Sequence, residues 1–162
     1  MIISGIFVRP DRNKWLLDGN VLVALLWQNH IHHREAAAWF TTHRTEGWAT
    51  CCLTELGFLR ISMQATDLKT GLSFADVFTT LSINVDVADH EFWPLDYPTS
   101  EIRAEIRERI IGHQQLTDAL LLDLAIRRGG RFATFDKGVA RLLPPDSPNR
   151  DAIEILSVGL RS

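Results

Sequence analysis

Four carboxylates occupy related places in the chain: Asp18, Glu55, Asp118 and Asp136. Each stands where an apolar run gives way to a helix, or in the first turn of a helix. Carboxylates gathered in one place repel one another unless a divalent cation sits among them. Mg²⁺ and Mn²⁺ are hard ions that prefer oxygen ligands, and Mg²⁺ keeps several waters while touching only one or two carboxylates. An ion held this way acidifies its water and neutralises charge on a phosphate oxygen. The four acids are therefore the candidate catalytic and metal-ligating residues.

Taken singly, each acid is better explained without chemistry. An Asp at a strand end caps the next helix through its side chain, and an acid in a first turn complements the helix dipole. Capping does not explain an acid at all four junctions, where Ser, Thr or Asn would serve. Two neutral residues support a metal site. Thr134 lies two residues before Asp136, on the same face of a strand, and can bond a carboxylate or a metal-bound water; plain strand packing explains it nearly as well. Asn20, two residues after Asp18, can steady that carboxylate, or it is only a polar first-turn residue. Lys137, directly after Asp136, can meet a substrate phosphate, a contact that sets position rather than sequence choice.

The elements that must position these residues alternate. Residues 1–14 read as a loose leader and 15–158 as a single domain. Strands are expected at 15–17, ending at Asp18, and at 48–52, 83–87, 131–135 and 152–156. The strand at 83–87 alternates apolar and polar residues, as near a sheet edge. Helices are expected at 21–27, 32–45, 53–64, 74–81, 101–111, 116–128 and 137–143. Ser73 caps the fourth of these, with Asp76 in its first turn, and 101–111 is charged and solvent-facing. The helix at 116–128 is the clearest: Thr117 caps it, Asp118 suits its positive end, Arg127 and Arg128 suit its negative end, and Gly129-Gly130 stops it. Strands alternating with helices imply an α/β layered fold with a mostly parallel sheet. In such a sheet the strand-to-helix junctions collect along the carboxyl edge, which is what would bring the four acids together.

On these residues the chain resembles the PIN-domain family, in its VapC branch. Leu17-Asp18-Gly19-Asn20-Val21-Leu22 resembles the first motif, Thr54-Glu55 the second, Leu116-Thr117-Asp118-Ala119-Leu120-Leu121 the third, and Ala133-Thr134-Phe135-Asp136 the fourth. One departure stands out, since Gly19 holds a place where the family often has Thr or Ser. The resemblance spans about residues 15–156. It implies a PIN-like three-layer fold, with a sheet of about five mostly parallel strands flanked by helices. It also implies an Mg²⁺- or Mn²⁺-dependent endoribonuclease acting on RNA, the toxin of a type II toxin–antitoxin system. The implied partners are a VapB-type antitoxin and a second copy in a homodimer.

Other features carry less. His30, His32 and His33 read as a solvated helix start, since adjacent histidines on a helix point apart. His113 precedes Asp118 in a loop and could touch RNA. Arg127, Arg128, Arg131, Lys137 and Arg141 concentrate positive charge late in a chain whose net charge is −3, so nucleic-acid binding would need a local patch. The tryptophans read as core. The two cysteines, Cys51 and Cys52, are adjacent and read as buried and unbridged, which suits a reducing cytoplasm. No secretory signal and no membrane span is expected. P-loop, dinucleotide-binding, nucleophile-elbow and zincin motifs are missing. Two other classes remain: a catalytically silent PIN-like module that binds a protein or RNA, favoured only by Gly19, and a phosphatase with Asp18 as nucleophile, disfavoured by Asn20.

Overall fold

The structure is a computed structural model that describes residues 2–3, 6–7, 13–64 and 71–158. In the expected leader, β1 (Ile2–Ile3) and β2 (Ile6–Phe7) pair antiparallel. The rest of the leader up to residue 12 lies outside the described residues.

The main sheet has five strands. They are β3 (Trp15–Leu17), β4 (Trp48–Thr50), β5 (His90–Phe92), β6 (Arg131–Thr134) and β7 (Ile153–Ile155), in the order β5-β4-β3-β6-β7. Every pairing is parallel. The central strands are apolar without alternation because both faces are covered, and Trp15, Leu16 and Leu17 are all buried.

Residues 15, 17, 48 and 133 face one core with α1 (Gly19–Leu26), α2 (His33–His43), α3 (Cys52–Gln64) and α4 (Phe74–Val85). Residues 16, 49 and 132 face the other core with α5 (Ala104–Arg107) and α6 (Leu116–Arg127). The three-layer α/β fold with five parallel strands is as expected. From β3 the chain first moves outward to β4 and β5, then crosses back to β6 and β7. The crevice between the carboxyl ends of β3 and β6 is thus the topological switch point, where open α/β sheets bind ligands.

Several local expectations are corrected. Residues 83–85 complete α4 instead of forming a strand. A reciprocal capping box between Ser73 and Asp76 starts that helix, and its inward positions recur at Val77, Leu81 and Val85. This i, i+4 repeat overrides the brief alternation through Ile83 and Val87, both exposed. The edge strand beside β4 is β5, which composition did not mark. The long helix expected at 101–111 is only a 3-10 turn at Thr99–Glu101 and one turn of α5, with Ile106 fully buried. The Arg103 amide donates to the Asp123 carboxylate at 3.0 Å instead of entering a longer helix. Thr117 caps nothing, because a 3-10 turn at His113–Gln115 runs straight into α6. Instead of lying in a strand, Cys52 opens α3 and is exposed, while Cys51 is buried; both are free thiols. Gly129, at φ +64°, stops α6 as expected. Among the described residues no helix is long and apolar enough to cross a membrane.

Candidate active site

Asp18 follows the last residue of β3, and its amide donates to the Ala133 carbonyl of β6 at 3.0 Å. It is the N-cap residue of α1 by position, yet its side chain makes no capping bond. Instead Asp18 Oδ2 accepts from Thr134 Oγ1 at 2.6 Å. Thr134 is fully buried, and its Oγ1 also accepts from the Asp136 amide at 3.1 Å. One hydroxyl thus ties the ends of β3 and β6 together. Burial pushes the Asp18 carboxyl up; the Thr134 and Gly19 bonds oppose this, and the Asp136 charge adds to it.

Asp136 lies just beyond β6 and is exposed. Its Oδ1 accepts from the Gly138 amide at 2.7 Å, capping a 3-10 helix at Lys137–Leu142. The capping role is therefore real here, and it also aims the carboxylate. Lys137 is exposed at the first position of that turn. Asp118 stands in the first turn of α6. Burial, the charges of Asp18 and Asp136, and a contact with Asp136 push its carboxyl up to about 7. Three of the four acids therefore feel one another across the switch point.

Glu55 is placed by a close helix contact. A Cβ on Gly19 would lie 3.2 Å from the Gly57 Cα and 3.3 Å from the Thr54 carbonyl oxygen. The first turn of α1 and the first two turns of α3 therefore touch backbone to backbone beside Asp18, with Glu55 between the contacting residues Thr54 and Gly57. The Glu55 Oε1 accepts from Thr50 Oγ1 at 2.6 Å, and Thr50 Oγ1 lies 2.9 Å from His90 Nε2. Burial holds the His90 imidazole below its ordinary range, opposed by the Glu55 charge and a bond to the Val85 backbone. Neither Thr50 nor His90 is marked by any sequence motif, since only the β4–β5 pairing brings a residue at 90 to one at 50.

The packing also explains Gly19. We expect Gly19→Thr to lower stability by about 1–3 kcal/mol through overpacking, without raising activity. Denaturant unfolding checks the first part, and a stability equal to wild type would show that α1 and α3 can part freely.

The donor set suits a hard divalent ion: carboxylate oxygens, and Asn20 Oδ1, which is buried without a hydrogen-bond partner. Among the described residues no three His, Cys, Asp or Glu side chains form a ready-made cage. Mg²⁺ does not require one, because waters fill most of its shell.

The remaining candidates stand elsewhere. The His30 and His32 rings lie tilted to each other, 5.7 Å between centroids, and His32 lies 5.3 Å from the Phe135 ring. His33 Nδ1 bonds the Ala24 carbonyl at 2.8 Å. His113 is exposed ahead of α6. The late basic residues do not form a patch at the acids. Arg127 is paired with Asp123, Arg128 donates to the Pro94 carbonyl, and Arg131 lies over the Trp15 ring at the opposite end of the sheet. Arg141 offers its carbonyl to Arg109. Trp15, Trp48 and Trp93 are core, as expected.

The sequence profile of the PIN domain matches residues 15–142. This chain belongs to the PIN-domain family. It is 40% identical over 141 residues to Ribonuclease VapC39 of Mycobacterium tuberculosis, covering 87% of this chain and 98% of the relative. It is 42% identical over 145 residues to Ribonuclease VapC38 of the same species, covering 88% and 98%. A crystal structure of VapBC2 from Rickettsia felis bound to a promoter DNA fragment superposes with a TM-score of 0.55 at 14% identity, covering 89% of this chain and 99% of that one. At that identity the likeness speaks for the PIN fold alone.

The raised acid has a consequence for this PIN domain. A carboxyl whose folded value exceeds its unfolded one binds its proton more tightly in the folded state. Its contribution to stability then falls as pH rises from the ordinary 3.8 to about 7. Burial lowers His30 and His90, which act in the opposite sense. Those histidines are common to wild type and Asp118→Asn, so comparison isolates Asp118. In EDTA, the melting temperature of Asp118→Asn relative to wild type should climb between about pH 4 and about pH 7 and level off above that. A difference constant with pH would show that Asp118 is not held high.

Proposed function

We propose that this PIN domain is the toxin of a type II toxin–antitoxin pair, a ribonuclease hydrolysing RNA phosphodiester bonds with Mg²⁺ or Mn²⁺. The observation that carries this reading is the meeting of Asp18, Asp118 and Asp136 at the switch point of the sheet. It is supported by the identity to proteins named ribonucleases over 98% of their length. The working unit we propose is residues 15–158.

In this reading Asp18 and Asp118 hold the ion, and Glu55 and Asp136 complete its oxygen surroundings. The bound ion supplies charge neutralisation on the scissile phosphate and a more acidic water. The chain's own residues do the rest. Thr134 fixes the Asp18 carboxylate, the Gly138 amide fixes that of Asp136, and Asn20 offers its unpartnered oxygen. Lys137, exposed next to Asp136, meets a backbone phosphate of the RNA.

A VapB-type antitoxin as partner, a homodimer, and residence in the cytoplasm belong to the same proposal. The silent-module reading rested on Gly19, which the helix contact now explains, so no observation favours it.

Purified, partner-free protein incubated with mixed cellular RNA and Mg²⁺ or Mn²⁺ should give discrete fragments, and EDTA should prevent them. The folded protein should also melt at higher temperature with either ion. The absence of both cleavage and a metal-dependent melting shift would overturn the proposal.

A further inference from the structure

Glu55 is the acid whose position owes most to groups that no motif contains. It is not among the charges that shift Asp18 or Asp118. Instead it is linked to the edge of the sheet. Thr50, fully buried at the end of β4, has a single hydroxyl proton. A carboxylate can only accept, so the 2.6 Å contact places that proton on the bond to Glu55 Oε1. The 2.9 Å contact between Thr50 Oγ1 and His90 Nε2 then runs the other way, with the ring donating to the hydroxyl when it is charged or carries its single proton on Nε2 rather than towards the Val85 backbone. The His90 ring is itself held against Trp48, 4.5 Å between centroids, and β5 pairs His90 with Trp48 in the sheet.

We propose that His90 and Thr50 form a positioning relay, His90 Nε2–H to Thr50 Oγ1–H to Glu55 Oε1, that orients the Glu55 carboxylate for the divalent ion. This rests on the metal-dependent reading of the site above. Thr50 binds Oε1, which leaves Oε2 as the oxygen to offer to an ion. Two bonds in series, with each donor committed, allow one carboxylate orientation where a free Glu side chain would sample several. The edge strand β5 thereby contributes to a site built on the ends of strands further in. Groups that orient a metal's carboxylate ligands typically change affinity or activity by 10–100-fold when removed.

The test uses the whole chain, with Mn²⁺ binding followed by electron paramagnetic resonance and RNA cleavage followed separately. Thr50→Val keeps the shape and removes the hydroxyl; Thr50→Ser keeps the hydroxyl. His90→Phe keeps a ring against Trp48 and removes the donor. Thr50→Val should weaken Mn²⁺ binding about tenfold and lower kcat with little change in KM. Thr50→Ser should retain wild-type binding and kcat. His90→Phe should move both in the same direction as Thr50→Val, and the double variant should be no worse than Thr50→Val alone. Circular dichroism and melting temperature confirm that each variant is folded. If folded Thr50→Val binds Mn²⁺ and turns over like wild type while Glu55→Gln does not, the relay is overturned and the metal-dependent reading stands. If Glu55→Gln is also like wild type while Asp118→Asn is inactive, Glu55 lies outside the metal's surroundings and the relay has no function to serve. If wild type neither binds Mn²⁺ nor cuts RNA, the reading of the site fails and the relay with it.

Discussion

Replacing Asp118 by Asn should eliminate RNA cleavage and, at the same time, raise the melting temperature of the metal-free protein at neutral pH. The two effects share one cause. The Asp118 carboxyl is raised to about 7 by burial and by the charges of Asp18 and Asp136. In the absence of metal, ionising it costs folding free energy, and an amide of the same shape avoids that cost. The amide lacks the negative charge that a hard cation needs. Even groups one shell removed from a metal alter activity by about 10–100-fold, so loss of a proposed direct ligand should lower kcat/KM by at least about 100-fold. Melting curves in EDTA and initial cleavage rates in Mn²⁺ read the two effects separately. An Asn variant that is inactive because it is unfolded, or folded and fully active, would contradict the assignment.

The second large effect concerns stability. Asp123 is wholly buried in α6, yet its oxygens meet Arg103 at 2.8 Å, Arg127 at 2.6 Å and the Arg103 amide at 3.0 Å. Arg127 also lies 4.0 Å from the centre of the Tyr97 ring and donates to the Glu101 carbonyl. This cluster fastens residues 97–107 to the helix that presents Asp118. Removing one partner of a buried pair costs about 3–5 kcal/mol. Both arginines keep about a third of their side chains in solvent, so Asp123→Ala should fall near the lower value, about 3 kcal/mol. For a chain of this size that is roughly 6–12 °C in melting temperature. The metal ligands are untouched, so protein that remains folded at low temperature should keep its Mn²⁺ affinity. A melting temperature equal to wild type would show that water replaces the carboxylate without loss.

The lone acid within the run Leu120–Ile126, Asp123, went unmarked in the sequence analysis, although buried charges are almost always matched. Its partner Arg103 was not legible, since nothing local ties a residue in an irregular stretch to a helix 20 residues away. The same limit explains the errors at 83–87 and 101–111. Each segment is short, and its local pattern competed with tertiary contacts: the inward stripe of Val77, Leu81 and Val85 in one case, the Asp123 carboxylate in the other.

What the sequence determined by itself is the α/β alternation with a mostly parallel sheet, and the four acids at strand-to-helix junctions or helix starts; the three-layer form was implied by the family resemblance. The first two features are local: hydrophobic period, caps and breakers act within a few residues, and parallel order follows from the alternation. Only the tertiary structure decided which acids interact and what holds them. Thr134 reaches Asp18 because β3 and β6 are neighbours across 116 residues. Gly19 is explained only by the backbone of Gly57 against it. His90 reaches Glu55 only through Thr50 and the β4–β5 register. Such contacts depend on strand order and on the approach of whole elements, which no window of residues contains.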